Sequence, residues 1–330
     1  MKSLENKRVL LCAPNFFGYE LEIRKALQAR GAEVDCIPDR PFTSPFLKAV
    51  TRYRRNWILG YADRQYEKAL SGFGRQHYDL ILVVQGEALS PRFLRSLRSS
   101  YPSARFVLYM WDSFRNKRQL LGNLERFDHS LSFDPLDAKQ YGMTFRPLFY
   151  CPDFVDATAF TGEYEYDVSF IGTAHSDRYS LVRQLSAALP KGSSTYWYLF
   201  LQSTWMFHIQ KLGNPSFAGS TATDFAYVPL AKAEVQRVFK ASRSVLDIEH
   251  PAQTGLTMRT FEALAAGKKL ITTNRNILEY DFFDPQNILY IDRSQTPDIP
   301  ASFSQTPYRP VSPALMDKYS LDGWLNDVLN

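Results

Sequence analysis

Short, almost unbroken apolar runs alternate with stretches of helical periodicity along the first half of the chain. RVLLCAP (8–14) precedes a helical stretch from Gly18 to Arg30 that Gly31 stops, and AEVDCIP (32–38) follows. YDLILVVQGE (78–87), ARFVLYMWD (104–112), HSLSFD (129–134) and FRPLFY (145–150) continue the series. Strands that are apolar throughout need cover on both faces, and helices between them supply it. The pattern predicts an α/β domain built on a doubly wound parallel sheet.

The pattern pauses in CPDFVDATAFTGEYEY (151–166), which is rich in turn residues and has no clear period, and then restarts. YDVSFIGTAHSDRYSLVRQL reads as strand, loop and helix, STYWYLFLQ as a strand, and AKAEVQRVFKAS as a helix leading into the strand RSVLDIEH; NILYID (287–292) ends the sheet. The expected organisation is an N-terminal domain over 1–150, a linker over 151–163, a second domain over 164–310 and a helical tail over 311–330. In the tail, Leu321, Trp324, Leu325, Val328 and Leu329 share one helical face, with Ser320 before it as N-cap. That face is expected to pack back on the N-terminal domain. Ligands of open α/β sheets bind beyond the carboxyl ends of the strands, so two such domains are expected to face a central cleft.

Composition narrows the classes. A chain of 330 residues, 45% hydrophobic and 15% aromatic, supports more than one packed core. Its formal charge of +5 comes from local clusters, which argues against general nucleic-acid binding and leaves room for anionic ligands or an anionic membrane surface. No window approaches the roughly 18 apolar residues of a membrane span, and MKSLENKRVLLCAP lacks the long apolar region of a signal peptide; a cytoplasmic protein is expected. Cys12, Cys36 and Cys151 are widely spaced with no C-x-x-C, as suits reduced thiols.

Two strand-end loops hold the candidate chemistry. In GTAHSDRYS (172–180), Gly172 permits close backbone approach, Thr173 offers a hydroxyl, and His175 and Arg178 are donors suited to phosphate at the start of a helix. A turn in which Ser176 or Asp177 caps that helix is the competing reading. In RSVLDIEHPAQTGLTMRTFEALAAG, Thr257 or a neighbour begins a helix that Gly267 stops, and Arg259 and Glu262 project from nearly one face of it. An intrahelical pair gains only about 0.2–0.5 kcal/mol, so a ligand is the stronger reason for charges in an alanine-rich helix; a solvated Arg–Glu pair is the alternative.

These motifs, in this order, carry a resemblance. LSFDPLDAKQYG, FRPLFY, DVSFIGTAHSDR, DIEHPAQTGLTMRTFEALAAGKKLITTN and NILYIDR together resemble group-1-type glycosyltransferases of the GT-B fold, with two Rossmann-like domains, and most closely the bacterial CgeB-like and capsular or lipopolysaccharide-biosynthesis enzymes. The resemblance spans roughly residues 128–293. It implies that Glu262 contacts the ribose of a nucleoside-diphosphate sugar, that Arg259 and the Gly172–Thr173 loop meet the diphosphate, and that His250, Gln253, Thr254 and Gly255 lie near the donor sugar. The retaining enzymes often carry a second Glu eight residues before the one matching Glu262. That position is Thr254 here, and the stereochemical outcome stays open.

An inverting transfer needs a base for the acceptor hydroxyl. Asp112 and then Glu87 are the candidates at strand ends of the first half, with Glu20 behind them; each also reads as a helix-start carboxylate. No Asp-x-Asp stands at a strand end and the histidines lack metal-type spacing, so metal-free chemistry without a cofactor is expected. Residues 46–70 interleave Lys48, Arg52, Arg54 and Arg55 with Phe46, Tyr53, Trp57 and Ile58, a composition suited to peripheral membrane contact or a solvated helix side. The expected partners are therefore a nucleotide-sugar donor and a glycan or lipid-linked glycan acceptor, as in polysaccharide biosynthesis, without nucleic acid. Two other readings keep the same fold: a nucleotide-sugar epimerase or phosphorylase-like enzyme, and a non-catalytic nucleotide-sugar-binding assembly protein. A nicotinamide dehydrogenase is disfavoured because Leu10 to Gly18 lacks G-x-G-x-x-G.

Overall fold

The structure of the protein is a computed structural model that describes residues 3–42, 57–155 and 163–330. The chain forms two compact units. Met1–Leu148, Ala252–Gly255 and Leu321–Asn330 make the first; Phe149–Pro251 and Leu256–Ser320 make the second.

In the first unit, β1 (Arg8–Ala13), β2 (Glu33–Pro38), β3 (Leu80–Val84), β4 (Arg105–Met110), β5 (His129–Ser132) and β6 (Thr144–Phe145) form a parallel sheet in the order β2-β1-β3-β4-β5-β6. Every residue of LILVV in β3 is buried, as a central strand covered on both faces requires. The covering helices are α1 (Tyr19–Ala29), α2 (Leu59–Phe73), α3 (Pro91–Ser100) and α4 (Pro135–Tyr141). Two of them start where the sequence sets the cap: Ser90 accepts from the Phe93 N–H before α3, and Asp134 accepts from Leu136 and Asp137 before α4, each with Pro at the first turn. FRPLFY, expected as a full strand, contributes only Phe145 to β6. Pro147 has no N–H for a ladder, and beyond it only Tyr150 makes an isolated bridge, to Ser320. Lys48, Arg52, Arg54 and Arg55 of the basic 46–70 segment lie outside the described residues, as do 156–162 of the expected linker.

The second unit repeats the architecture. β7 (Tyr166–Thr173), β8 (Thr195–Phe200), β9 (Ser242–Asp247), β10 (Lys269–Thr272) and β11 (Ile288–Tyr290) are parallel in the order β11-β10-β9-β7-β8, so NILYID does form an edge. The helices are α5 (Arg178–Ala188), α6 (Thr204–Gly213), α7 (Lys232–Ala241), α8 (Met258–Ala265), α9 (Ala301–Gln305) and α10 (Pro313–Tyr319). Val168, Phe170, Leu185, Leu246 and Ile271 lie in one apolar cluster with Phe207 and Phe217.

The last helix, α11 (Leu321–Val328), belongs to the first unit, as its apolar face predicts. Leu321, Trp324, Leu325 and Val328 are buried, and Trp324 meets Tyr109 of β4 edge to face at 4.8 Å. Polar contacts rim that packing: Arg30 donates to Asn326 at 3.0 Å and to Asp322 at 2.9 Å, and Arg105 donates to the Leu329 carbonyl at 3.0 Å.

Candidate functional site

In the second unit the carboxyl ends of neighbouring strands β7, β9 and β10 gather most of the predicted residues. Helix α8 starts there because Thr257 takes both hydrogen-bonding roles. Its Oγ1 accepts from the Arg259 N–H at 3.1 Å and donates to Asp247, the last residue of β9, at 2.8 Å. Thr260 donates to the same carboxylate at 2.7 Å. Asp247 is buried and fixes the helix start against the strand end, where negative charge also suits the helix dipole.

Arg259 and Glu262 meet. Arg259 Nη1 donates to Glu262 Oε2 at 3.2 Å and Nη2 to the Ile171 carbonyl of β7 at 2.9 Å, with the guanidinium 4.9 Å from the Phe239 ring centroid. This is an enclosed pair, not a solvated one: the side chains are 20% and 3% exposed. Arg178 is equally committed. Its Nε and Nη2 donate to the Ile248 carbonyl beyond β9, and its Nη1 donates to the Thr173 carbonyl at 3.1 Å. Burial pulls its pKa down to about 10, which leaves it charged at neutral pH. What comes close to Gly172 is the protein itself: a Cβ there would lie 2.8 Å from the Phe170 ring and 3.3 Å from Arg178 Nη1. His175, after β7, and His250, after β9, come together with ring centroids 5.4 Å apart. Of the two predicted caps, Asp177 precedes α5 without a side-chain cap bond, and Ser176 has a left-handed φ of 50°.

Beside these residues stands a network that the sequence did not single out. Arg293, just past β11, donates to Asp177 at 2.9 Å, to Thr273 at 3.2 Å and to Glu249, which also accepts from Thr273. Burial pushes the Glu249 carboxyl up, against the lowering effects of Thr273 and Arg293. Alternation in DIEH was the available signal, since it puts Asp247 and Glu249 on the same side of the chain at a strand end.

Gln253, Thr254 and Gly255 lie in the first unit. Thr254 N–H donates to Asp134 Oδ2 at 2.7 Å, its hydroxyl donates to Asp134 Oδ1, and Gly255 N–H reaches Oδ2 at 3.2 Å. Gln253 Nε2 donates to the Gly255 carbonyl at 3.4 Å. Glycine is required at 255 because a Cβ would stand 2.5 Å from the Phe133 ring. Of the candidate bases, Asp112 is half-buried, and its Oδ1 accepts from Ser113 N–H and Asn116 Nδ2, both at 2.9 Å. Glu87 is buried at 2% exposure and ion-pairs with Lys117 at 3.0 Å. Its backbone N–H donates to Asp39, whose carboxyl is pushed up to about 7 by burial and then by the Glu87 charge. Glu20 accepts from Phe16 N–H at 3.3 Å. Among the described residues, no group of three or more His, Cys, Asp or Glu side chains is placed to hold a metal ion, and no helix is long and apolar enough to cross a membrane.

Comparison with known proteins agrees with this picture. Residues 210–298 match a family model described as glycosyl transferase-like. Among curated proteins, none matches the chain. A glycosyltransferase structure from Rickettsia africae is similar over 98% of this chain and 97% of its own, at 12% identity and a TM-score of 0.59. Anabaena HepE in complex with UDP and glucose is similar over 98% and 99%, at 10% identity and a TM-score of 0.58. S. aureus MnaA with UDP is similar over 96% and 90%, at 12% identity and 0.51. The resemblance read from the motif order is thus borne out: the chain has the two-domain α/β GT-B fold with a glycosyl transferase-like segment.

Proposed function

We propose that the protein is a glycosyltransferase that moves a sugar from a nucleoside-diphosphate sugar to a hydroxyl of a surface-polysaccharide precursor, such as a capsule, lipopolysaccharide or exopolysaccharide glycan. The observation that carries the reading is the grouping of Arg259, Glu262, His175 and His250 at the carboxyl ends of β7 and β9, within the architecture shared with glycosyltransferases. The fold and family match support a transferase. That HepE and MnaA were solved with UDP supports a nucleotide-sugar donor.

In this reading Glu262 accepts from the ribose hydroxyls, and Arg259, already anchored on the Ile171 carbonyl, turns part of its fork to the diphosphate. His175 and His250 face the donor sugar. The leaving diphosphate is met by these side chains and by backbone N–H groups, without a metal. Asp112 takes the acceptor proton; Glu87, enclosed with Lys117, positions the loop after β3 instead. The reaction is cytoplasmic, or at the inner face of the membrane.

A screen of nucleoside-diphosphate sugars for thermal stabilisation tests the reading, since a ligand at a hundred times its Kd adds about 2.7 kcal/mol. Arg259→Ala and Glu262→Gln should each weaken the best donor by about tenfold to a hundredfold, from the loss of charged hydrogen bonds worth about 1.5–3 kcal/mol. No stabilisation by any donor, or undiminished affinity in both folded variants, refutes the site. A second reading, a non-catalytic nucleotide-sugar-binding protein, draws support from the local hydrogen bonds of Asp112 and the ion pair of Glu87. Full transfer activity lost on Asp112→Asn, with donor binding kept, decides against it.

A further inference from the structure

The ring nitrogen that holds a histidine's proton decides whether its other nitrogen meets a phosphate or a hydroxyl, and at His175 the neighbouring hydrogen bonds fix the choice. Ser176 Oγ donates its one proton to the His175 carbonyl at 2.7 Å, and His175 Nδ1 lies 2.9 Å from the same Oγ. Were the hydroxyl turned to Nδ1 instead, two oxygen atoms would face each other at 2.7 Å with no proton between them. Nδ1 is therefore the donor and Oγ the acceptor. The neutral ring is the Nδ1–H tautomer, with a lone pair on Nε2. His129, in the first unit, is the opposite case: Arg105 Nη2 can only donate and stands 3.3 Å from its Nδ1, so Nε2–H donates to Thr144 Oγ1 at 2.9 Å.

The turn around His175 is braced to keep this arrangement. Ser176 has a left-handed φ of 50°, which a residue with a Cβ seldom adopts, and Asn214, just past α6, donates to its carbonyl at 2.7 Å. From another side Arg293 donates to Asp177 at 2.9 Å and also to Glu249, which ties the turn to the loop carrying His250. The diphosphate of a nucleotide sugar is ionised at neutral pH and offers only acceptors. An Nε2 lone pair is repelled by it and suits the O–H of a sugar.

We propose that His175 reads a hydroxyl of the transferred sugar, which donates to Nε2, and that Ser176 is a positioning residue that sets the tautomer. This role rests on the nucleotide-sugar reading above, and it gives His175 a sugar partner where its sequence context suggests phosphate. Long-range proton–nitrogen correlation spectra of the isotope-labelled full chain, at about pH 8 where imidazole is ordinarily neutral, test it. The ring whose signals vanish in His175→Gln should show a protonated Nδ1 and a bare Nε2, and His129 the reverse. Ser176→Gly removes the hydroxyl while suiting the left-handed turn, and should move His175 towards the Nε2–H form. In titrations with UDP-glucose and UDP, exchanged for the donor that the stabilisation screen ranks first and its nucleoside diphosphate, Ser176→Gly should weaken the sugar-bearing ligand about fivefold and the diphosphate less than about twofold. An Nε2–H tautomer at His175 in the wild type overturns the proposal, and that measurement needs no variant to fold. Equal weakening of both ligands, or of neither, overturns the sugar contact. If no donor binds at all, the sugar contact falls together with the reading it rests on, and an Nδ1–H signal at His175 tells that failure from an error in the tautomer.

Discussion

The two units share one architecture and fill their strand ends with opposite chemistry. Beyond β2 and β3 of the first unit, acidic side chains gather: the Asp39 carboxyl accepts from the Glu87 backbone N–H and feels the Glu87 charge, with Lys117 and Arg40 beside Glu87. Beyond β7, β9 and β11 of the second unit, three arginines do the joining. Arg178 holds two strand-end carbonyls, Arg259 holds a third and Glu262, and Arg293 holds Asp177 and Glu249. Parallel strands all present backbone carbonyls and helix starts at the same sheet edge, so the fold alone does not choose the charge. The side chains choose, and a planar guanidinium can satisfy several carbonyls and still leave positive charge for an anion, which paired carboxylates cannot.

The largest effect should come from removing the fork that joins β7 to β9. Arg178→Leu leaves the Ile248 and Thr173 carbonyls without three charge-assisted hydrogen bonds, at a cost of about 4–5 kcal/mol. Arg178→Lys recovers only part, because one ammonium does not span both carbonyls. Urea unfolding measures this. A loss under about 1 kcal/mol for Arg178→Leu would show that the strand ends hold their places without it.

In the first unit the prediction concerns pH. The folded-state pKa of Asp39, about 7, lies above the ordinary carboxyl value, so the folded protein keeps a proton that the unfolded chain releases. Stability is therefore unpenalised below the unfolded pKa and falls as pH rises towards the folded one. Between pH about 5 and about 8 the loss amounts to about 2–3 kcal/mol. Asp39→Asn retains an oxygen for the Glu87 N–H and cannot ionise, so its stability should change less over this range. Parallel pH profiles of melting temperature for variant and wild type would contradict the assignment.

The contrast between the units was legible only in part before the structure. Apolar runs such as LILVV announce parallel strands because both faces must be buried, and Thr257 by its side-chain hydroxyl and Gly267 by its left-handed backbone mark the ends of α8. The Arg259–Glu262 contact also follows from helical spacing. Nothing local marks the partners that tertiary structure supplies. Arg178 finds Ile248 seventy positions along the chain, and Thr254 finds Asp134 across 120. Asp39 and Glu87 meet through the loops that follow β2 and β3, which the parallel order β2-β1-β3 brings to one sheet edge. FRPLFY forms less strand than its composition suggests for the converse reason: its apolar residues suit a strand, and Pro147 breaks the ladder they would need.

The smallest effect tests how finely the second unit's strand end is set. Thr257 caps α8 and simultaneously supplies one of the two hydroxyls that hold Asp247. Thr257→Ala removes the cap and one donor, while Thr260 still satisfies the carboxylate, so stability should fall by only about 1–1.5 kcal/mol. Serine restores both roles and should recover nearly all of it. The more telling readout is donor binding, because Arg259 and Glu262 ride on the same first turns of the helix. If Thr257→Ala weakens a nucleoside-diphosphate sugar several-fold and Thr257→Ser does not, the cap positions the site as well as the helix. If affinity is unchanged while stability drops, Arg259 is held in place by Ile171, Phe239 and Glu262 without the cap, and the strand end matters for folding rather than for binding.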